Sequence, residues 1–347
     1  MAENTLVSVV VAAFNAGPTL PRSIGTLLGQ THRNIEVVAV NDASTDDSAR
    51  ILAELAERDA RLKVQNLPRN IGVHAARRIG VRACRGAFIG FADSDDWVAP
   101  GMYAHLLDEA QRAGADIVVC GADSVAEDGA PLPPKIAFPA RQVFGDDLLG
   151  RFCRLEFGSG VQWNKLYRCE PIRRYSELEL SRRYGDGPED YIVNVGCFAA
   201  ARRVVILRER YYTYLIQSSG LSNAVSNARA FLRVLGAYVS CLEAYHQEMP
   251  QHLPSIDELY ARQLRFECYR VGSIAELPEF ADGLSDCLTR LAAVRPESVY
   301  ALVHAFDTVQ CRAPRRHLIE VGLRDLARSG VSFARTIARG LRPSGTM

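Results

Sequence analysis

The chain has 347 residues, of which 48% are hydrophobic and 23% are charged, and its formal net charge is +1. These values are typical of one large α/β domain with an appended region, and they lack the basic excess that general nucleic-acid binding requires. The nine cysteines contain no Cys-x-x-Cys pair and no Cys/His cluster, which indicates reduced thiols rather than a zinc or redox site.

The first 122 residues alternate apolar strands with helical patterns over short connections. Strands are predicted at 6–13, 35–40, 62–64, 87–92 and 117–120, and helices between them at 19–28, 46–57 and 73–84. This alternation is typical of βαβ units in a mostly parallel sheet flanked by helices. Since the crossovers are right-handed, the loops that follow the strands lie along one edge of the sheet. Open α/β sheets bind their ligands at that edge.

Four successive strand ends in this region carry polar residues. In chain order these ends supply Ala13, Phe14 and Asn15; Asp42; Arg69 and Asn70; and Asp93, Ser94, Asp95 and Asp96. Crowded carboxylates repel each other unless a cation or hydrogen-bond donors stabilise them. A divalent metal that carries a diphosphate is the natural occupant of such a strand end. Taken alone, the acidic run is equally consistent with an ordinary turn and helix cap.

These residue types suit a nucleoside diphosphate. Asp42 can accept hydrogen bonds from a base or a ribose, and Asp93 and Asp95 can share a metal that bridges two phosphates. The first turn lacks the Gly-x-Gly-x-x-Gly pattern of dinucleotide binding, and the chain contains no Walker-type phosphate loop. Hydride transfer is therefore disfavoured.

Beyond residue 122 the predicted secondary structure no longer alternates regularly between strands and helices. Residues 123–139 are rich in Pro, Gly, Asp and Glu and are predicted to form a loop. Short helices and strands, the latter at 204–207 and 211–216, follow up to residue 222. From residue 223 the pattern is helical, with segments at 228–246, 256–271 and 299–309.

The segment 312–342 carries eight Arg, no Lys and only two acids. It predicts a basic amphipathic helix that either lies on an anionic membrane surface or packs on the protein with a solvated basic face. We find no signal peptide and no apolar stretch long enough to cross a bilayer. We therefore expect a cytoplasmic protein, which the first of these two arrangements would bring to the inner face of the plasma membrane as a peripheral protein.

Together, the ordered motifs at 9–15, 40–46, 69–72 and 93–96 resemble the family-2 glycosyltransferases. The resemblance implies the GT-A fold, a Rossmann-type α/β architecture, and a reaction that mostly inverts the anomeric centre. It also implies a catalytic domain at 1–222, with a nucleotide-sugar half at about 1–122 and an acceptor half at about 145–222. The helical region 223–347 would then bind the acceptor, form a lid or make a homodimer.

The resemblance also assigns roles at the donor site. Asp42 matches the family's base-contacting aspartate, and Asp93 and Asp95 match the residues that contact the ribose and a Mg²⁺ or Mn²⁺ ion. A UDP-sugar is the donor that this match implies. The neighbouring residues that complete the predicted site are Ala13, Phe14, Asn15, Arg69, Asn70 and Ser94.

Two further elements match the family in the middle region. Trp163, Asn164 and Lys165 resemble its tryptophan-asparagine-lysine element near the donor and acceptor, with a core aromatic as the alternative for Trp163. Lys165 and Arg69 would add positive charge against the leaving group. Glu189 and Asp190 resemble the element that supplies the catalytic base, Asp190, although acids are also ordinary at a helix N-terminus.

The resemblance has limits that bear on the reaction. The chain lacks both the Gln-x-x-Arg-Trp element and the membrane helices of processive synthases, which favours the transfer of one sugar. The predicted acceptor is a saccharide or a lipid-linked saccharide in the assembly of surface polysaccharide or lipopolysaccharide. Two alternatives are a sugar-nucleotide-binding protein without catalysis and a nucleotidyltransferase.

Overall fold

The computed structural model describes residues 4–180, 188–217, 227–270, 278–299 and 302. Chain contacts define two compact units, Met1–Glu179 with Glu189–Asn223 and Leu180–Pro188 with Ala224–Met347. The predicted boundary at 222–223, most of the predicted helix at 299–309 and the basic segment 312–342 lie outside the described residues. Among the described helices, none combines the length and the apolar character that crossing a membrane requires.

The first unit begins with regular strand–helix alternation. Its elements up to residue 126 are β1 Val7–Ala13, α1 Leu20–Leu28, β2 Ile35–Asn41, α2 Ser48–Arg58, β3 Leu62–Asn66, α3 Val73–Ala83, β4 Phe88–Asp93, β5 Trp97–Val98, α4 Met102–Ala113 and β6 Ile117–Ala126. Every residue of β2 is buried, as are all but one of β1 and of β4. Continuous apolar runs form these strands because both faces of the sheet are covered by helices.

The second half of this unit adds shorter elements to the same sheet. They are β7 Pro131–Ile136, β8 Gln142–Phe144, α5 Leu148–Cys153, β9 Lys165–Arg168, α6 Cys169–Ser176, α7 Glu189–Ala200 and β10 Val204–Ile216. The sheet runs in the order β3-β2-β1-β4-β9-β6-β10-β5, with β7 on β6 and β8 on β10. Strands β1 to β4 are parallel to their neighbours among themselves, and β9 is antiparallel to β4 and β6. The result is a mixed, mostly parallel sheet.

Two local predictions are wrong. The segment 123–139 is not a loop, because β6 continues to Ala126 and β7 pairs with it in antiparallel fashion. Strand β7 is largely exposed, and prolines are tolerated on such edge strands. The strands predicted at 204–207 and 211–216 are one strand, β10, whose pairing with β6 shifts register between Ile206 and Tyr212.

The close approach of α3 to the sheet depends on Gly80. A Cβ atom at this position would lie 2.5 Å from Cγ1 of Val10 and 3.3 Å from Cγ2 of Val40, both in buried strands. We expect Gly80→Ala to lower the free energy of unfolding by about 1–3 kcal/mol through overpacking. Thermal denaturation followed by circular dichroism measures the loss.

Gly25→Ala in α1 is the matched control. An added Cβ there would meet no described atom within 4 Å beyond its own helix and chain neighbours. We expect this variant to gain about 0.5–1 kcal/mol, since alanine is the better helix former. Equal melting temperatures for the two variants would contradict the packing argument at Gly80.

The described residues of the second unit lie mainly in helices. These are α8 Asn227–Tyr245, α9 Leu253–Arg270 and α10 Pro278–Val294, with a short 3₁₀ turn at Pro250–His252. The Asp257 carboxylate accepts hydrogen bonds from the Tyr238 hydroxyl at 2.5 Å, the Ser298 hydroxyl at 2.7 Å and the Arg295 guanidinium at 2.7 Å. This buried, charge-balanced network ties α8 and α9 to the residues that follow α10.

Candidate active site

The acidic run lies at the carboxyl end of β4, on the edge of the sheet where the sequence predicted it. Asp93 is the last residue of β4, and one carboxylate oxygen from each of Asp93, Asp95 and Asp96 lies within 4.8 Å of the others. Burial and the neighbouring carboxylates raise the pKa of Asp95 to about 6 and that of Asp96 to about 9. Such mutual repulsion is relieved by a divalent cation, and hard oxygen ligands fit Mg²⁺ or Mn²⁺.

Asp96 is the member of the acidic run whose side chain is hydrogen-bonded to two residues of β10. It is buried, and its carboxylate accepts hydrogen bonds from the Tyr212 hydroxyl and the Leu215 amide, each at 2.8 Å. The Tyr212 hydroxyl also accepts a hydrogen bond from the Asp93 amide at 3.0 Å. Asp96 therefore fixes the acidic turn against β10, while Asp93 and Asp95 remain partly exposed.

Arg77 joins the acidic run to the predicted base. This α3 residue donates from Nη2 to Oδ1 of Asp93 at 2.7 Å, and from Nη1 to Oε1 of Glu189 at 3.0 Å and Oδ1 of Asp190 at 2.5 Å. The structure thus brings together Asp93, Glu189 and Asp190, which sequence reasoning could only place separately. That reasoning missed Arg77, which stands next to Arg78 in the sequence but is buried on α3 together with Ala76, Gly80 and Val81.

Asp190 lies in the first turn of α7. Its side chain is 15% exposed, so it is mostly withdrawn from solvent. Burial raises the pKa of Asp190 above the usual carboxyl range; Arg77 opposes this effect and the Asp93 carboxylate adds to it. The positive end of the helix dipole supports the ionised form. A carboxylate with a raised pKa is a stronger base than an ordinary one.

Asp42 orders the turn that precedes α3. Its two carboxylate oxygens accept hydrogen bonds from the Ile71 amide at 2.7 Å and the Gly72 amide at 2.8 Å. Gly72 has a φ of 87°, in the region that favours glycine. Asp42 is itself only 3% exposed, so in this structure both of its carboxylate oxygens serve the turn. Arg69 and Asn70 lie exposed on the same turn.

The loop after β1 is connected to the loop after β2. Asn15, with a φ of 51°, donates its amide to the Ser44 hydroxyl at 3.0 Å and accepts the Thr45 amide on its side chain at 2.8 Å. Ala13 is buried, whereas Phe14 is 49% exposed. Phe14 is therefore the large side chain of this loop that can contact a ligand, and Asn15 holds the loop in place.

Trp163, Asn164 and Lys165 lie inside the fold, at the start of β9 and in the turn before it. Trp163 is 2% exposed and stacks on Tyr212 with ring centroids 4.2 Å apart. The Asn164 amide donates to the Cys120 carbonyl at 2.7 Å. The core alternative for Trp163 fits this arrangement, because its ring offers a sugar no open face.

The Lys165 ammonium donates all of its hydrogen bonds to acceptors inside the fold. It donates to the carbonyls of Ser159 at 3.1 Å and Val161 at 2.5 Å and to Oδ1 of Asn164 at 2.8 Å. Three acceptors use all three donors of an ammonium, and burial lowers the pKa of Lys165 to about 7. In this conformation Lys165 holds the turn before β9 rather than contacting a phosphate.

Comparison with known protein families identifies the family of the region that carries this site. Residues 8–176 match the family model described as Glycosyl transferase family 2. These residues belong to glycosyl transferase family 2. The family predicted from the ordered motifs is thus confirmed, and the match covers both the Asp42 turn and the acidic run.

Curated relatives of this chain come from bacteria. It is 34% identical over 212 residues to the uncharacterized glycosyltransferase EpsJ of Bacillus subtilis, an alignment that covers 60% of each chain. It is 30% identical over 230 residues to the succinoglycan biosynthesis protein ExoO of Rhizobium meliloti, which covers 63% of each. The alignments therefore span less than two thirds of these relatives' own lengths.

A solved structure supports the fold over a longer part of the chain. The crystal structure of S. aureus TarS 1–349 matches with a TM-score of 0.66 at 18% identity, covering 94% of this chain and 92% of that one. At this identity the likeness concerns the fold alone. The predicted GT-A architecture, a mostly parallel sheet flanked by helices with a helical C-terminal region, is confirmed.

Proposed function

We propose that this chain transfers one sugar from a UDP-sugar to a hydroxyl group of a saccharide or lipid-linked acceptor in bacterial polysaccharide assembly. The observation that carries the proposal is the Arg77 contact, which places a candidate base, Asp190, beside the acidic run at Asp93. TarS, which has a similar fold, has been crystallised with UDP-GlcNAc. ExoO, a relative by sequence, is named for succinoglycan biosynthesis.

The donor would bind along the carboxyl edge of β1 to β4. Asp93 and Asp95 would hold a Mg²⁺ or Mn²⁺ ion, since one carboxylate oxygen of each lies within 4.8 Å of the other. When bound, the ion supplies positive charge against the diphosphate that leaves. Phe14 offers an exposed ring at the end of β1, and Asp42 fixes the turn before α3 beside it, where the nucleoside would lie.

Asp190 would act on the acceptor. A sugar hydroxyl is a poor nucleophile at neutral pH, so a carboxylate must take its proton as the new C–O bond forms and the bond to UDP breaks. Direct displacement of this kind inverts the anomeric carbon. Arg77 orients the Asp190 carboxylate through a hydrogen bond from Nη1, and this orientation keeps the base fixed during the transfer.

The two alternatives, a nucleotidyltransferase and a sugar-nucleotide-binding protein without catalysis, would need different residues at this site. A nucleotidyltransferase would need a glycine-rich, basic loop after β1, whereas Asn15 and its neighbours form a loop tied to Ser44 and Thr45. A binding protein without catalysis would have no need to place Asp190 next to Arg77 in a mostly buried position. Both observations favour sugar transfer.

Release of free nucleotide from a panel of UDP-, GDP- and dTDP-sugars tests the proposal, with Mn²⁺ or EDTA present and with saccharide acceptors added. We expect UDP release that requires Mn²⁺ and rises with one class of acceptor. Pyrophosphate release from UTP and a sugar phosphate would instead indicate a nucleotidyltransferase. Tight binding of UDP-sugar with no UDP release in any mixture would indicate a binding protein.

A further inference from the structure

Arg77 is a buried cation shared by carboxylates from two different elements. Its side chain is 10% exposed, and its two terminal nitrogens point to different partners. Nη2 binds Asp93 at the end of β4, and Nη1 binds Glu189 and Asp190 at the start of α7. One guanidinium thus forms ion pairs with three acids. Two of them belong to the predicted base element and one to the predicted metal site.

We propose that Arg77 is a positioning residue that couples the metal site to the base, because the guanidinium that orients Asp190 also competes with the divalent cation for Asp93. The proposal rests on the proposed function, since it assigns the metal and the base to that reaction. It adds a residue that the family match alone does not assign, and it makes a prediction about metal affinity that requires no turnover.

The geometry of the guanidinium makes this coupling specific to arginine. Its planar fork can place two nitrogens on two separate carboxylate groups at once, whereas a lysine ammonium is a compact point charge. Removing the cation would leave Asp93, Glu189 and Asp190 facing each other in a mostly buried site. Repulsion among these acids would then attract any other cation more strongly.

The guanidinium and the divalent cation would compete because both draw on the Asp93 carboxylate. A cation bound by Asp93 and Asp95 withdraws negative charge from the carboxylate that accepts the 2.7 Å hydrogen bond from Arg77. The hydrogen bond to Asp93 weakens, and the guanidinium is left to Glu189 and Asp190. Metal loading therefore tightens the hold on the base, and linkage requires the reverse effect to be of equal size.

Titration of Mn²⁺ into the protein without nucleotide tests the coupling. We expect Arg77→Gln to lower the Kd for Mn²⁺ about tenfold, since a competing cation is removed. In the same variant kcat should fall about 10²-fold, since the base loses its orientation. These effects have opposite signs, whereas a merely structural role would weaken both properties. Electron paramagnetic resonance of free Mn²⁺ gives the Kd, and UDP release gives kcat.

Glu189→Gln provides a second measurement that leaves Arg77 in place. With one acid partner neutralised, the guanidinium binds Asp93 more strongly, so the Kd for Mn²⁺ should rise about threefold. Glu189→Gln should raise the Kd for Mn²⁺ by a smaller factor when Arg77→Gln is already present. The difference between the two factors measures the contribution of Arg77. If Arg77→Gln does not fold, the single Glu189→Gln variant decides, and an unchanged Kd overturns the proposal.

Arg82→Gln is the matched control on the same helix. Arg82 pairs with Glu177 on the surface, far more exposed than Arg77, so neither its Mn²⁺ affinity nor its kcat should change. A folded Arg77→Gln variant with wild-type or weaker Mn²⁺ affinity would overturn the coupling. Wild-type protein that shows the expected Mn²⁺ effects but no sugar transfer would overturn only the proposed function.

Discussion

Replacing Asp190 with asparagine is expected to lower kcat by about 10²- to 10⁴-fold, the range that general base catalysis contributes. Asparagine keeps the shape of the side chain but cannot accept the acceptor's proton. The hydrogen bond from Arg77 can still reach the amide oxygen, so donor binding should change much less than turnover. Initial rates of UDP release over a range of donor concentrations separate kcat from KM.

The control for Asp190→Asn removes a carboxylate that is not part of the site. Glu177 pairs with Arg82 on the surface, and Glu177→Gln should retain the wild-type rate. Melting temperatures of both variants verify that each is folded. A folded Asp190→Asn variant whose rate lies near that of the wild type would show that another group takes the proton.

The sequence could predict the first half of the sheet because each strand carries its own signal. Strands β1, β2 and β4 are buried on both faces, and such strands read as continuous apolar runs. The sequence predicts two strands where the structure has β10 alone, because Arg208, Glu209 and Arg210 interrupt the apolar pattern. These residues are exposed where the pairing with β6 is irregular, so the charges mark a local irregularity and not the end of the strand.

The site was predictable where its residues are close in sequence. The acidic run at 93–96 follows one strand, and its strand-end position can be read from the preceding apolar residues. Arg77 could not be assigned in this way, because its partners lie 16, 112 and 113 positions away. A pattern that identifies a helix face does not say which distant carboxylates meet it.

Lys165 illustrates a different limit. The family resemblance predicts that Lys165 lies near the donor, but a lysine can either reach a ligand or turn its ammonium toward carbonyl groups. The structure has the second arrangement, with Ser159, Val161 and Asn164 as acceptors. Only the tertiary packing around β9 decides between the two arrangements. The residue type and its position in the sequence therefore could not predict which one Lys165 adopts.

Replacing Asp95 with asparagine is expected to remove the stabilisation that UDP and Mn²⁺ give together. At a ligand concentration of 100 times Kd, the wild-type protein should gain about 2.7 kcal/mol in free energy of unfolding. The variant should gain almost none, since a neutral amide is a poor partner for a hard divalent cation. Thermal shift with UDP, with and without Mn²⁺, measures both proteins under the same conditions.

The same substitution should leave the unliganded protein at least as stable as the wild type. Burial and the Asp93 carboxylate raise the pKa of Asp95 to about 6, so keeping Asp95 ionised at neutral pH costs more free energy in the folded state than in the unfolded state. An asparagine relieves this cost, and only the metal-dependent gain should disappear. Asp123→Asn, which removes a surface partner of Arg210, should keep the full gain. A metal-dependent shift retained by Asp95→Asn would contradict Asp95 as a metal ligand, and loss of stability without ligand would contradict the argument from repulsion.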